Sequence, residues 1–100
     1  MTTQPNDIVD ATVRELGYTD VRQFARVQAM NLLNRRVREQ EILVQSFEQK
    51  YGADWHTFSA RTESASAGII EREDDEMAWE AALTYLIHLR QRLQLLQEAS

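Results

Sequence analysis

Cysteine is absent from this 100-residue chain. That excludes a disulfide frame, a thiolate metal site and a cysteine nucleophile, and it suits a reducing compartment. Proline occurs once and glycine three times, too few breakers for a strand-and-turn fold and few enough for long helices. No apolar run approaches the ~20 residues of a membrane span. The segment Met1-Thr2-Thr3-Gln4-Pro5-Asn6-Asp7 lacks the basic and apolar parts of a secretory signal. A cytoplasmic location is the expectation. Positive charge is also scarce: the net charge is −5, and the second half carries nine acidic against four basic residues. Such a balance disfavours non-specific binding to nucleic acid or to an anionic membrane.

What is present reads as one folded helical domain over residues 1–100. Apolar residues make up 43% and charged residues 27% of the chain, an ordinary globular mixture. The strongest pattern is Trp79, Ala82, Leu83, Leu86, Leu89, Leu93 and Leu96. Steps of three and four place them on one helix face. The run Glu71-Arg72-Glu73-Asp74-Asp75-Glu76 precedes them, and carboxylates favour the positive end of a helix dipole. A helix is predicted over residues 71–97.

A second long helix is predicted from the cap Asp20, with Gln23 at capping-box distance, to Gly52. Val21, Phe24, Ala25, Met30, Leu32 and Leu33 form one apolar end of it, and Ile42, Leu43, Val44, Phe47 and Tyr51 the other. Between them lies a polar waist with Val37 on the inner side. Met30, Leu33, Val37, Val44, Phe47 and Tyr51 keep a seven-residue beat that breaks at Gln40, read as a boundary or solvated position, with a polar residue that fixes helix register as the alternative. Residues 1–6 are expected to form a disordered lead, with Asn6 capping a short first helix whose apolar side is Ile8, Val9, Val13 and Leu16. Gly17 suits its left-handed end. Asp54 can cap a short helix carrying Trp55 and Phe58, and residues 62–70 read as a loop.

The predicted architecture is all-α: a long antiparallel helical hairpin, a short aromatic helix near its turn, and a small N-terminal helix folded against it. The expected core is Phe24, Leu33, Val37, Val44, Phe47, Tyr51, Trp55, Phe58, Trp79, Leu83, Leu86, Leu89, Leu93 and Leu96. Setting Phe47 opposite Trp79 brings Arg36 opposite Arg90, so Arg35, Arg36 and Arg38 share a level with Arg90 and Arg92. The acid run then sits beside Lys50 at the other end. Local pairs of Arg35 with Glu39 and Arg38 with Glu41 are expected to offset part of this belt. Glu73, Asp74, Asp75 and Glu76, with Arg35, Arg36 and Arg38, are the candidate partner-binding residues.

Catalytic signals are weak, and no metal, cofactor or catalytic residue is expected. Glu71 and Asp74 have the spacing used by metal-dependent all-helical nucleotide hydrolases, but Glu39, Glu41 and Glu48 supply no matching second pair. His56 and His88 lack the acidic partners of a carboxylate-bundle site. Ser46, Ser59, Ser64 and Ser66 have no adjacent base. A helix-turn-helix reader would expose Arg22 and Arg26, but that helix is too long and the charge too acidic.

The order Lys50-Tyr51-Gly52, Trp55, Phe58, an acid stretch, then Trp79-Glu80-Ala81 resembles small acidic all-helical proteins of bacteria and archaea, some antitoxin-like. The resemblance covers residues 40–97 and departs from the pattern by adding Pro5 to Leu33. It implies a role for Tyr51, Trp55, Phe58, Asp74, Asp75, Trp79 and Glu80, as binding residues or as the fold signature. The residues and the resemblance together suggest a non-catalytic interaction protein, antitoxin-like or inhibitor-like. It would mask the basic surface of a toxin or a nucleic-acid-binding effector, including one of a phage-defence complex. A homodimer or assembly module is the alternative.

Overall fold

The computed structural model describes residues 5–60 and 69–99. Four helices follow in order: α1 (Pro5–Glu15), α2 (Val21–Tyr51), α3 (Trp55–Ala60) and α4 (Ile69–Glu98). The described residues contain no strand. α1 begins at Pro5, so Asn6 lies inside the helix and not at its cap; residues 1–4 of the expected lead lie outside the described residues. The fixed φ of proline and its missing N–H suit a first helical position. Of the expected loop 62–70, Ile69 and Ile70 belong to α4 and the rest lies outside the described residues.

Each boundary has a local cause. α1 closes when the Gly17 N–H donates to the Arg14 carbonyl and the Tyr18 N–H to that of Val13. Gly17, at φ +100°, supplies the left-handed residue this Schellman closure requires. At the start of α2, Asp20 Oδ1 accepts from the Gln23 N–H at 2.7 Å. Gln23 Oε1 accepts in return from the Thr19 N–H at 2.6 Å, one residue earlier than in the usual capping box. Gly52, at φ 63°, ends α2, and Asp54 caps α3 by accepting from the Thr57 N–H at 2.8 Å.

The molecule is a rod of 76 × 25 × 16 Å with a radius of gyration of 21.2 Å, against about 13 Å for a compact domain of this length. α2 packs lengthwise on α4 in a hairpin-like pair. Contacts run from Tyr51 with Asp75, through Arg36 with Tyr85, to Arg26 with Leu96. The α4 stripe is the core: Trp79, Ala82, Leu86, Leu89 and Leu93 are buried, and Leu83 and Leu96 are half-buried. The facing α2 residues Met30, Leu33, Val37, Gln40, Val44 and Tyr51 are half-buried around a buried Phe47. Gln40 thus lies on the seam. Two helices cannot enclose both apolar ends of α2, and Leu32 (55%) and Ile42 (65%) stay exposed. Of the described α1 side chains only Val13 is buried, while Ile8, Val9 and, just past the helix, Leu16 are exposed.

Phe47, Phe58 and Trp79 form one buried cluster, with Val44, Tyr51, Trp55 and Leu83 packed on it. Trp79 is its centre: its ring centroid lies 5.0 Å from Phe58, 5.5 Å from Phe47 and 5.6 Å from Trp55. Offset and edge contacts of this kind add to the gain from area alone. Among the described residues the indole N–H has no hydrogen-bond partner, a cost of about 1–3 kcal/mol that the burial of the ring must outweigh.

Candidate interaction surfaces

The acid run occupies the first two turns of α4, and helix phase divides it. Asp75 stands four residues before Trp79, on the inner side, where Lys50 Nζ approaches it at 2.6 Å. The Tyr51 hydroxyl donates to the same carboxylate at 2.5 Å. Lys50 also reaches Glu71 at 2.5 Å. These bonds hold the Asp75 carboxyl below the ordinary carboxylate range. Burial, then the bond to Asp75, pushes the Tyr51 phenol up, and bonds to Asp75 and Glu71 raise the Lys50 ammonium.

Glu73 and Asp74 are exposed and form no hydrogen bond or ion pair among the described residues. Glu76 is half-buried. The four acids predicted to meet a partner are therefore unequal, and Asp75 is a brace within the fold. Arg72, inside the run, turns inward: Nη2 donates to the Phe58 carbonyl at 3.0 Å, and the guanidinium sits 4.7 Å from the Phe58 ring centre. It clamps α3 to α4. Nothing in the spacing of a mostly acidic hexapeptide marked that role.

The arginine level is separate from the acid run. Arg35, Arg36 and Arg38 are exposed, and no ion pair joins Arg35 or Arg36 to residues 73–76 among the described residues. The expected pairs Arg35–Glu39 and Arg38–Glu41 are not formed. Glu41 instead meets Arg90 across the seam at 3.6 Å, and Arg36 Nη1 donates to the Tyr85 hydroxyl at 3.1 Å. Arg26, considered as an exposed reader of nucleic acid, is half-buried and donates to the Leu96 carbonyl at 3.3 Å. That satisfies a last-turn acceptor of α4 with a cation. Arg22 is exposed.

His56 and His88 are exposed. The Ser46 hydroxyl donates to the Leu43 carbonyl and that of Ser59 to the His56 carbonyl, so both are engaged with their own helices. Ser64 and Ser66 lie outside the described residues. No group of three or more His, Asp or Glu side chains that could hold a metal ion occurs among the described residues, nor is any described helix long and apolar enough to cross a membrane. The outer side of α4 carries a shallow groove of about 560 Å³ lined by Met77, Glu80, Ala81, Thr84, Tyr85 and His88. No family model, curated protein or solved structure matches this chain.

Proposed function

We propose that this chain is a non-catalytic interaction protein, a single helical domain acting in the cytoplasm. Its antiparallel hairpin carries an acid tip that masks the basic surface of a protein partner, as an antitoxin masks a toxin or an inhibitor covers a nucleic-acid-binding effector. The observation that carries this reading is the division within the acid run. Glu71 and Asp75 share the ammonium of Lys50, while Glu73 and Asp74 stand exposed and unpaired among the described residues. A rigid helix end holding unpaired carboxylates presents charge without first breaking an internal bond, which favours fast, selective encounter with a cationic surface. Arg35 and Arg38, exposed further along the rod, offer a second contact of opposite sign and so fix the orientation of a partner.

The test is affinity capture from the native host with wild type and Glu73→Lys/Asp74→Lys, followed by identification of the captured proteins. The wild type is expected to retain a partner of basic isoelectric point. The variant is expected to lose it, with an unchanged circular-dichroism melt. Retention of the same partner by the variant rejects the acid tip as the contact.

A further inference from the structure

The outer side of α4 exposes three large apolar side chains among polar ones. Ile70, Met77 and Leu95 are 72%, 71% and 60% exposed. Ile70, Met77, Thr84 and Gln91 are spaced by seven, as are Asp74, Ala81, His88 and Leu95. The two series interleave at steps of three and four, the spacing of a coiled-coil seam. This seam points away from α2, because the buried stripe through Trp79, Leu86 and Leu93 occupies the other side.

We infer that two copies of this chain pair through this face, with their α4 helices antiparallel about an axis at the groove between Met77 and His88. About that axis the positions of the face pair in reverse order. Around that axis Ala81 meets Thr84 of the second copy, Met77 meets His88, and Ile70 meets Leu95, each twice, as a two-fold contact requires. Small residues stand at the centre, where the helices approach most closely, and the groove of about 560 Å³ lies there. The bulky aliphatic residues cover one another at the two ends. Asp74 falls opposite Gln91, whose amide can donate to it.

Charge selects the direction. Glu73, Asp74 and Glu76, which Lys50 does not reach, lie at one end of α4, while Arg92 and Arg90, the latter 3.6 Å from Glu41, lie towards the other. Antiparallel pairing sets the acid run of each copy level with the two arginines of the other; parallel pairing would set acid beside acid. The acid run is shared with the proposed partner surface. A second copy and a basic partner therefore compete for Glu73 and Asp74; sedimentation of the chain alone tests the pairing and capture of a partner tests the acid tip, so the two readings fail separately.

Sedimentation equilibrium of the full chain up to about 200 µM, well above a micromolar dissociation constant, is expected to give twice 11.6 kDa. Met77→Lys sets a charge in the seam and is expected to weaken association about tenfold or more. Its helical circular dichroism should stay unchanged, since the side chain is exposed in the single copy, and capture of a basic partner should be kept or rise as the acid run is released. Because the chain has no cysteine, single thiols report the direction. A short bis-maleimide should join two copies of Thr84→Cys but not of Leu95→Cys, whose thiols stand roughly 38 Å apart at 1.5 Å per residue. A mass of 11.6 kDa throughout, undiminished association of Met77→Lys, or cross-linking of Leu95→Cys without Thr84→Cys overturns the inference.

Discussion

The two ends of the hairpin-like pair are closed by different chemistry. At the α3 end, Trp79 lies among Phe47, Tyr51, Trp55 and Phe58. Lys50, Tyr51 and Asp75 lock the outside of that cluster, and Arg72 clamps α3. At the α1 end the aliphatic stripe runs out through Leu93 and Leu96. There the Arg26–Leu96 bond closes the seam, Tyr18 meets Phe24 edge-on at 5.1 Å, and Gln28 bonds the Tyr18 hydroxyl. Rings at the chain reversal bury a large area over few residues, so stability is concentrated at that end. The α1 end has few groups whose loss would leave a cavity.

The largest test of this contrast is Trp79→Ala against Phe24→Ala. Removing a fully buried tryptophan is expected to cost about 3–5 kcal/mol, and the half-buried Phe24 about 1–2 kcal/mol. Urea titration measures both. Equal losses would mean that the ends share the stability evenly and would break the comparison. Next are the glycines, Gly52→Ala at the aromatic end and Gly17→Ala at the other. Neither new Cβ meets an atom within 4 Å, so each change should cost only backbone strain, about 1 kcal/mol. Amide exchange should then rise throughout α2 and α4 for Gly52→Ala but mainly in α1 for Gly17→Ala.

That asymmetry was only partly legible in the sequence. The α4 stripe could be read because no strand period fits Trp79, Leu86 and Leu93, and pairing Phe47 with Trp79 follows from each being the first large inward residue beside the turn. The separation of the acid run from the arginine level came from the same register. What could not be read was which acid does what. Five carboxylates so close together differ only in phase, and phase matters once α2 supplies Lys50. One signal was available: Asp75 is a helical step of four before Trp79 and had to face inward. Arg72 and Arg26 carried no such mark, because their partners are backbone carbonyls of Phe58 and Leu96, and any residue type has one. The α1 pattern misled for the opposite reason. Ile8, Val9, Val13 and Leu16 look amphipathic, yet only Val13 finds a surface to pack on.

Tyr51→Phe sharpens the picture of the aromatic end. It keeps the ring and deletes the bond to Asp75, a loss of about 0.5–1.5 kcal/mol at neutral pH. The pH profile distinguishes this from a packing defect. Asp75 is depressed in the folded state, so its stabilisation is present above the unfolded value near 3.9 and is lost as pH falls through the lower folded value. Tyr51 and Lys50 are raised, so their contribution is complete below about pH 10 and disappears as pH rises through the raised values. Thermal melts across pH should show a plateau between these limits and a fall on each side. Tyr51→Phe should make both falls shallower, and Phe24→Ala should leave their shape unchanged.

The smallest expected effect belongs to Arg26→Met, which keeps a long apolar stem and removes the cation from the last turn of α4. A charge at a helix C-terminus is worth about 0.3–1 kcal/mol and is screened by salt. The loss should therefore be near the low end and shrink as ionic strength rises, because Arg26 is only half-buried. Its location is the more telling readout. If the α1 end is held by few bonds, losing this one should raise amide exchange in residues 94–99 while the aromatic end stays protected. Uniform loss of protection along α4 would instead mean that the helix opens as one unit, and the contrast between the ends would then be one of chemistry and not of local stability.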